Sequence, residues 1–174
     1  LCKTHGFEVE SLPSEVMKAL EFNMNIPFDE TFCESALYKT MFEYQREGVR
    51  DVVSKFNGRC LIGDEMGLGK TLQAISVCQY YKHTRVLVIC PAYLRYTWKH
   101  EINKWLDAET CVVNNGKDPL GDGYLIISYD LATKRVDELK ALSFEIVVCD
   151  ESHYLKGHLT KRTKNLTPLV KNIR

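Results

Sequence analysis

An α/β domain with a mainly parallel central sheet is the fold class this 174-residue sequence predicts. Three observations carry it. Short runs rich in Val, Ile, Leu and Cys alternate with longer stretches of helical period. Several of those runs are apolar throughout rather than at every second residue, as strands buried on both faces by helices are. A 45% hydrophobic and 26% charged composition is ordinary for a globular chain of this length and excludes disorder, collagen and coiled coil.

The elements follow in order. SLPSEVMKAL (11–20) predicts a short helix with Pro13 in its first turn and Val16, Ala19 and Leu20 on one side. Residues 23–40 show no sustained period and read as a connecting segment, so residues 1–40 are assigned as an N-terminal extension and lead-in helix, and 41–174 as the main lobe. YQREGVRDVVSKF places Val49, Val52, Val53 and Phe56 on one helical stripe, ended by Asn57-Gly58. Then come RCLI, helix TLQAISVCQYY, RVLVICP, helix AYLRYTWKHEINKW, TCVVN, the turn-rich GKDPLGDG, YLIIS, helix DLATKRVDELKAL and FEIVVCDE. That alternation is what builds a parallel sheet covered by helices.

No apolar run approaches the roughly 20 residues of a membrane-spanning helix, and LCKTHGFEVE lacks the plan of a signal peptide. The sequence is read as intracellular, with no membrane partner. Seven cysteines (2, 33, 60, 78, 90, 111, 149) include no Cys-x-x-Cys, so reduced thiols are expected. Cys60, Cys90 and Cys149 lie in strand-like runs where cysteine acts as a small hydrophobe. Net charge is zero, yet Ser152 to Arg174 holds six Lys or Arg and no acid. Such a tail is either a solvated face or a surface for phosphate backbones.

LIGDEMGLGKT (61–71) raises the chemical question. A phosphate-binding loop of the pattern Gly-x-x-x-x-Gly-Lys-[Ser/Thr] has glycine where this chain has Asp64. The working parts are present: Gly67, Leu68 and Gly69 lie between an apolar run and a helix, where backbone N–H groups face a triphosphate at the helix N-terminus. Lys70 is positioned to reach the β- and γ-phosphates and Thr71 to give its hydroxyl to Mg²⁺. The alternative is a plain glycine turn.

FEIVVCDESH supplies a second constellation. Asp150, at the carboxyl end of a strand eighty residues after Lys70, is suited to holding hydrated Mg²⁺, and Glu151 to orienting and deprotonating a water. Acids also cap helix N-termini, so the pair gains meaning only beside the loop. His153 is placed to bridge the site to neighbouring loops, and the Gln45 amide to pair with an adenine edge. Leu94, Trp98, Ile102 and Trp105 share a face, which makes both tryptophans core residues rather than base-stacking platforms. Arg95 and Lys99 lie opposite, either solvated or on a phosphate backbone.

These residues resemble a known family. DEMGLGKT (64–71) and DESH (150–153) look like the first two helicase motifs of the Swi/Snf-type DNA-dependent ATPases of helicase superfamily two, and YQREGVR (44–50) like the glutamine motif ahead of them. Asp at the position of Asp64 is usual there. SLPSEVMKAL, LRYTWKHEINKW and SHYLKGHLTKRTKNLTPLV add a finer resemblance to the annealing-helicase branch, which remodels stalled replication forks.

The resemblance implies a RecA-like lobe that binds ATP and Mg²⁺, with Gln45, Asp64, Glu65, Met66, Gly67, Leu68, Gly69, Lys70 and Thr71 on the nucleotide. It implies Lys70, Asp150, Glu151 and His153 in catalysis, and Thr71 and Asp150 on the metal. ICPAYLR and LIISYD correspond to DNA-contacting motifs, which carries over Pro91, Ser128 and Tyr129 beside Arg95 and Lys99. Double-stranded or fork-structured DNA, a second RecA-like lobe, a monomeric state and the nucleus are implied with it.

Measured against the family, the chain stops at LVKNIR, before the third motif and the lobe that carries the arginine finger. Such an arginine is worth about 10³- to 10⁵-fold in turnover, so the isolated chain is expected to bind nucleotide and hydrolyse it weakly. A non-catalytic nucleotide- or DNA-binding fragment, a chromatin-remodelling ATPase and a metabolic phosphate-loop enzyme are the rival readings.

Overall fold

Val86, Val88 and Cys90 of strand β1 (Val86–Cys90) belong to one buried cluster, and Leu87 and Ile89 to another. Successive side chains of a strand point to opposite faces, so a run apolar at every position needs cover on both. A computed structural model describes residues 26–157, 159–171 and 173; the helix expected over 11–20 lies outside them.

The sheet holds β1, β2 (Thr110–Val112), β3 (Tyr124–Ser128) and β4 (Ile146–Cys149) in the order β2-β3-β1-β4, all pairs parallel. One face packs against α3 (Lys70–Tyr81) and α4 (Arg95–Trp105) through Ile75, Cys78, Trp98 and Ile102. The other packs against α5 (Tyr129–Lys134), α6 (Val136–Lys140) and α7 (Lys161–Val170) through Ala132, Val136, Leu139, Leu166 and Leu169. A third cluster of Tyr38, Met41, Val49, Val52 and Val77 joins α1 (Ala36–Thr40) and α2 (Glu43–Ser54) to α3.

Register positions the site. Cys90 pairs with Ser128 and Ile89 with Cys149, so β1, β3 and β4 end nearly level. Their next residues, Pro91, Tyr129 and Asp150, therefore emerge together at the carboxyl edge, where sheets of this kind place ligands.

Several expectations are corrected. Residues 59–62, expected as a strand, take no ladder partner; they line a cavity that β4 also lines, and Leu61 is 77% exposed. An apolar run becomes a strand only where a neighbour completes its hydrogen bonds. Cys60 is accordingly exposed and Cys149 half-buried, whereas Cys90 is buried. Phe56 leaves the stripe because α2 ends at Ser54, while Asn57 (φ 49°) and Gly58 (φ 80°) turn the chain as expected.

The connecting segment contains a 3₁₀ turn (Glu30–Glu34) and α1, both too short to show a period, with Leu37 and Tyr38 buried. The helix expected over DLATKRVDELKAL breaks into α5 and α6 at Arg135, whose guanidinium holds the Asp118 carbonyl and Glu138. The basic tail is not merely a solvated face: α7 buries Thr163, Leu166 and Leu169, and its Arg162 pairs with Asp130.

Candidate nucleotide-binding site

The loop before α3 is shaped by Gly67 (φ 84°) and Gly69 (φ 76°), both in the left-handed region that side chains disfavour. Gly69 is the residue preceding α3 and offers no capping side chain, whereas Ser35, Ser128 and Thr160 cap theirs. A 12-residue helix thus presents its first N–H groups to whatever lies in the loop.

Side chains from outside hold that loop. Gln73, buried on α3, donates from Nε2 to Asp64 Oδ2 at 2.6 Å. Gln45 Nε2 donates to the Leu68 carbonyl at 2.9 Å, and its Oε1 accepts from the Phe42 N–H at 2.9 Å, capping α2. The Tyr44 hydroxyl adds a bond to the same Leu68 carbonyl at 3.2 Å. Within the loop, Lys70 Nζ donates to the carbonyls of Asp64 and Glu65 at 2.8 and 2.9 Å. Glu65 and Met66 are exposed.

The second half of the site is built on β4. Asp150 Oδ2 accepts from the indole N–H of Trp98 at 2.8 Å, Oδ1 from the Glu151 N–H at 2.9 Å, and the Asp150 carbonyl from the Tyr129 hydroxyl at 2.8 Å. Glu151 is left-handed (φ 52°, ψ 50°), a strain of about 1–3 kcal/mol for a residue other than glycine. Its carboxylate lies 3.1 Å from His153 Nδ1. Tyr154 stacks on Tyr129 with centroids 5.1 Å apart, and the Arg162 guanidinium sits over both rings. Burial, reinforced by the Asp150 carboxylate, pushes the neighbouring Cys90 thiol up to about 12.

Lys70, Thr71, Asp150, Glu151 and His153 all line one cavity of about 730 Å³, together with Trp98 and residues 58–62. Among the described residues no cluster of three or more His, Cys, Asp or Glu side chains is able to hold a metal by itself. The donor set present suits Mg²⁺ instead, which takes one or two protein oxygens and otherwise waters and substrate phosphates. Thr71 and Asp150 are such oxygens, and each Asp150 oxygen keeps a lone pair beyond the bond it already accepts.

The structure separates the remaining expected residues. Gln45 is 4% exposed and spends one Nε2 hydrogen on the loop and one Oε1 lone pair on the α2 cap, which leaves one hydrogen and one lone pair for any further contact. Pro91 and Ser128 are buried, and Ser128 caps α5. Tyr129 is 2% exposed and bonded to Asp150, which removes it from any surface contact in this conformation. Arg95 folds back onto the carbonyls of Ala92 and Val113, and Lys99 is half-buried. Two contributors escaped sequence reasoning. Trp98 counted only as core, although a buried indole N–H requires an acceptor; Gln73 is a buried amide on an apolar face, which likewise demands a partner.

A family model described as SNF2-related domain matches residues 44–174. Among curated relatives, the SWI/SNF-related matrix-associated actin-dependent regulator of chromatin subfamily A-like protein 1 of Bos taurus is 40% identical over 144 residues, covering 79% of this chain and 15% of that protein. The DNA annealing helicase and endonuclease ZRANB3 of Homo sapiens is 35% identical over 156 residues, covering 82% of this chain and 14% of that protein. The chain thus spans less than a fifth of the length of either relative. Among solved structures, the Sulfolobus solfataricus SWI2/SNF2 ATPase core in complex with dsDNA matches with a TM-score of 0.63 and 26% identity, over 86% of this chain and 31% of that one.

Proposed function

Because this chain belongs to the SNF2-related domain family, we propose that it is the ATP-binding motor lobe of a DNA-dependent ATPase acting at stalled replication forks in the nucleus. The observation that carries the reading is the convergence of Lys70, Thr71, Asp150 and Glu151 on one cavity that runs along β4, beside the glycine loop that opens α3. The fork-remodelling assignment draws on relatives whose names describe a DNA annealing helicase and a regulator of chromatin.

In this reading the N–H groups of Gly67, Leu68 and Gly69 and the start of α3 bind the phosphates. Lys70 exchanges the Asp64 and Glu65 carbonyls for phosphate oxygens. The Thr71 hydroxyl and Asp150 carboxylate hold Mg²⁺, which when bound neutralises charge on the phosphates. Glu151 orients the attacking water, and His153, 3.1 Å from the Glu151 carboxylate, steadies it. Arg95 and Lys99 meet the duplex backbone once Arg95 releases its carbonyls, and a second lobe supplies the arginine that completes the site. A monomer suffices for this cycle.

The test measures ATP turnover of the complete protein with and without fork-shaped DNA, beside Lys70→Ala and Glu151→Gln. Turnover stimulated by DNA and abolished by either substitution is expected. DNA-independent turnover that survives both overturns the reading.

A further inference from the structure

We propose that Trp98 is a positioning residue for the Asp150 carboxylate, an inference that rests on the metal-holding role given to Asp150 above and extends it to a residue read from the sequence as core alone. Trp98 lies on α4, 52 residues from Asp150 in sequence, and is 4% exposed, yet its indole N–H reaches Oδ2 at 2.8 Å. With the Glu151 N–H on Oδ1 and the Tyr129 hydroxyl on the carbonyl, Asp150 is fixed at three atoms. Two of those three donors arrive from the segments that follow β1 and β3. A carboxylate oriented by donors behind it is the arrangement that tunes metal-ligating side chains, and losing such a donor weakens metal binding.

Trp105, seven residues further along α4, provides the contrast. Its indole N–H turns to Glu101 on its own helix at 3.2 Å, and its ring lines a different cavity. Substituting phenylalanine at either position keeps an aromatic ring and removes one N–H.

The experiment uses the complete protein with a non-hydrolysable ATP analogue and counts bound Mn²⁺ by electron paramagnetic resonance. Trp98→Phe is expected to bind Mn²⁺ about tenfold more weakly, with metal-free affinity for the analogue unchanged; Trp105→Phe is expected to match wild type. Wild-type Mn²⁺ affinity in Trp98→Phe overturns the inference. Asp150→Asn, measured alongside, separates the two levels: if it retains Mn²⁺ affinity the metal-holding role of Asp150 fails, and if it alone loses affinity only the role of Trp98 fails. Should Trp98→Phe melt below the assay temperature, wild type answers through its ¹⁵N-labelled indole resonance. That resonance is expected to shift when Mg²⁺ is added to the ADP complex, and an unmoved one overturns the inference.

Discussion

Three glycines of the phosphate loop differ in ways that give graded expectations for alanine substitution. At Gly63 the backbone is ordinary and no atom lies within 4 Å of an added Cβ. Gly67 has equally open space but φ of +84°. Gly69 combines φ of +76° with a Cβ position 2.4 Å from Gln45 Nε2. Holding alanine left-handed costs about 1–2 kcal/mol. At Gly69 the Gln45 amide must also retreat, forfeiting at least its bond to the Leu68 carbonyl, about 1 kcal/mol. Gly63→Ala is therefore expected within about 0.5 kcal/mol of wild type, Gly67→Ala about 1–2 kcal/mol down, and Gly69→Ala about 2–3 kcal/mol down. For a chain of this size the last corresponds to roughly 5–10 °C in Tm. Thermal unfolding followed by circular dichroism measures the series, and a Gln45→Ala background isolates the contact, because there Gly69→Ala should cost no more than Gly67→Ala. Equal melting of the Gly67 and Gly69 variants refutes the Gln45 argument; Gly63→Ala melting as low as Gly67→Ala refutes the backbone argument.

Further outcomes follow from other contacts. Asp64→Gly, which restores the glycine of the general loop pattern, should destabilise the chain by about 1–3 kcal/mol in urea unfolding, because it strands the buried Gln73 amide. The two Arg50 nitrogens at 2.7 Å hold the Glu30 carboxyl down to about 2 from its ordinary 4.5. A depressed acid contributes stability that is complete above its ordinary value and is lost as pH falls through the folded one. Glu30→Gln should therefore flatten the fall of Tm between about pH 4.5 and 2 relative to wild type, and parallel curves would count against it. Burial pushes Cys78 and Cys90 up to about 12 and Cys149 up to about 11. Burial raises the Cys60 thiol as well, but that residue is exposed, so with a disulfide reagent at pH 8 Cys60 should label in the native chain while the buried Cys78 and Cys90 wait for denaturant; mass spectrometry of labelled peptides decides it.

What the sequence made legible was set by local physics. The double-faced burial of VLVIC and YLIIS was readable because each run carries its own evidence of being covered on both sides. The left-handed turns at Gly67 and Gly69 and the helix start at Lys70 were readable because backbone conformation and helix start are local properties. RCLI misled because a strand exists only with a neighbour, and composition does not report whether one is there. Helix α7 was hidden by Pro168, which counts against a helix interior, although near the C-terminal end it removes a single bond. The Trp98–Asp150 pair was out of reach for a different reason: periodicity placed the ring in the core correctly, but its polar edge is satisfied across 52 residues by packing that no window of sequence contains.

The departure at Asp64 now has a physical reason. A phosphate loop needs bare backbone where the chain turns left-handed, and here those turns fall on Gly67 and Gly69. Asp64 lies before them, and its carboxylate is engaged by a buried amide on α3. The Cβ of any residue at position 48 would lie 2.4 Å from that same Gln73 side chain, so Gly48 in the interior of α2 makes room for the amide that holds Asp64. The loop is thus pinned at its start by Gln73 and near its end by Gln45 and Tyr44. Between those pins, Glu65 to Gly67 stay exposed, and Lys70 Nζ rests on two carbonyls it is able to leave. In the proposed reading, exchanging those carbonyls for phosphate oxygens would move the lysine head while the pinned backbone stays, which would keep the ordering cost of binding small. A glycine at position 64 would remove one pin and add backbone freedom where the loop needs none.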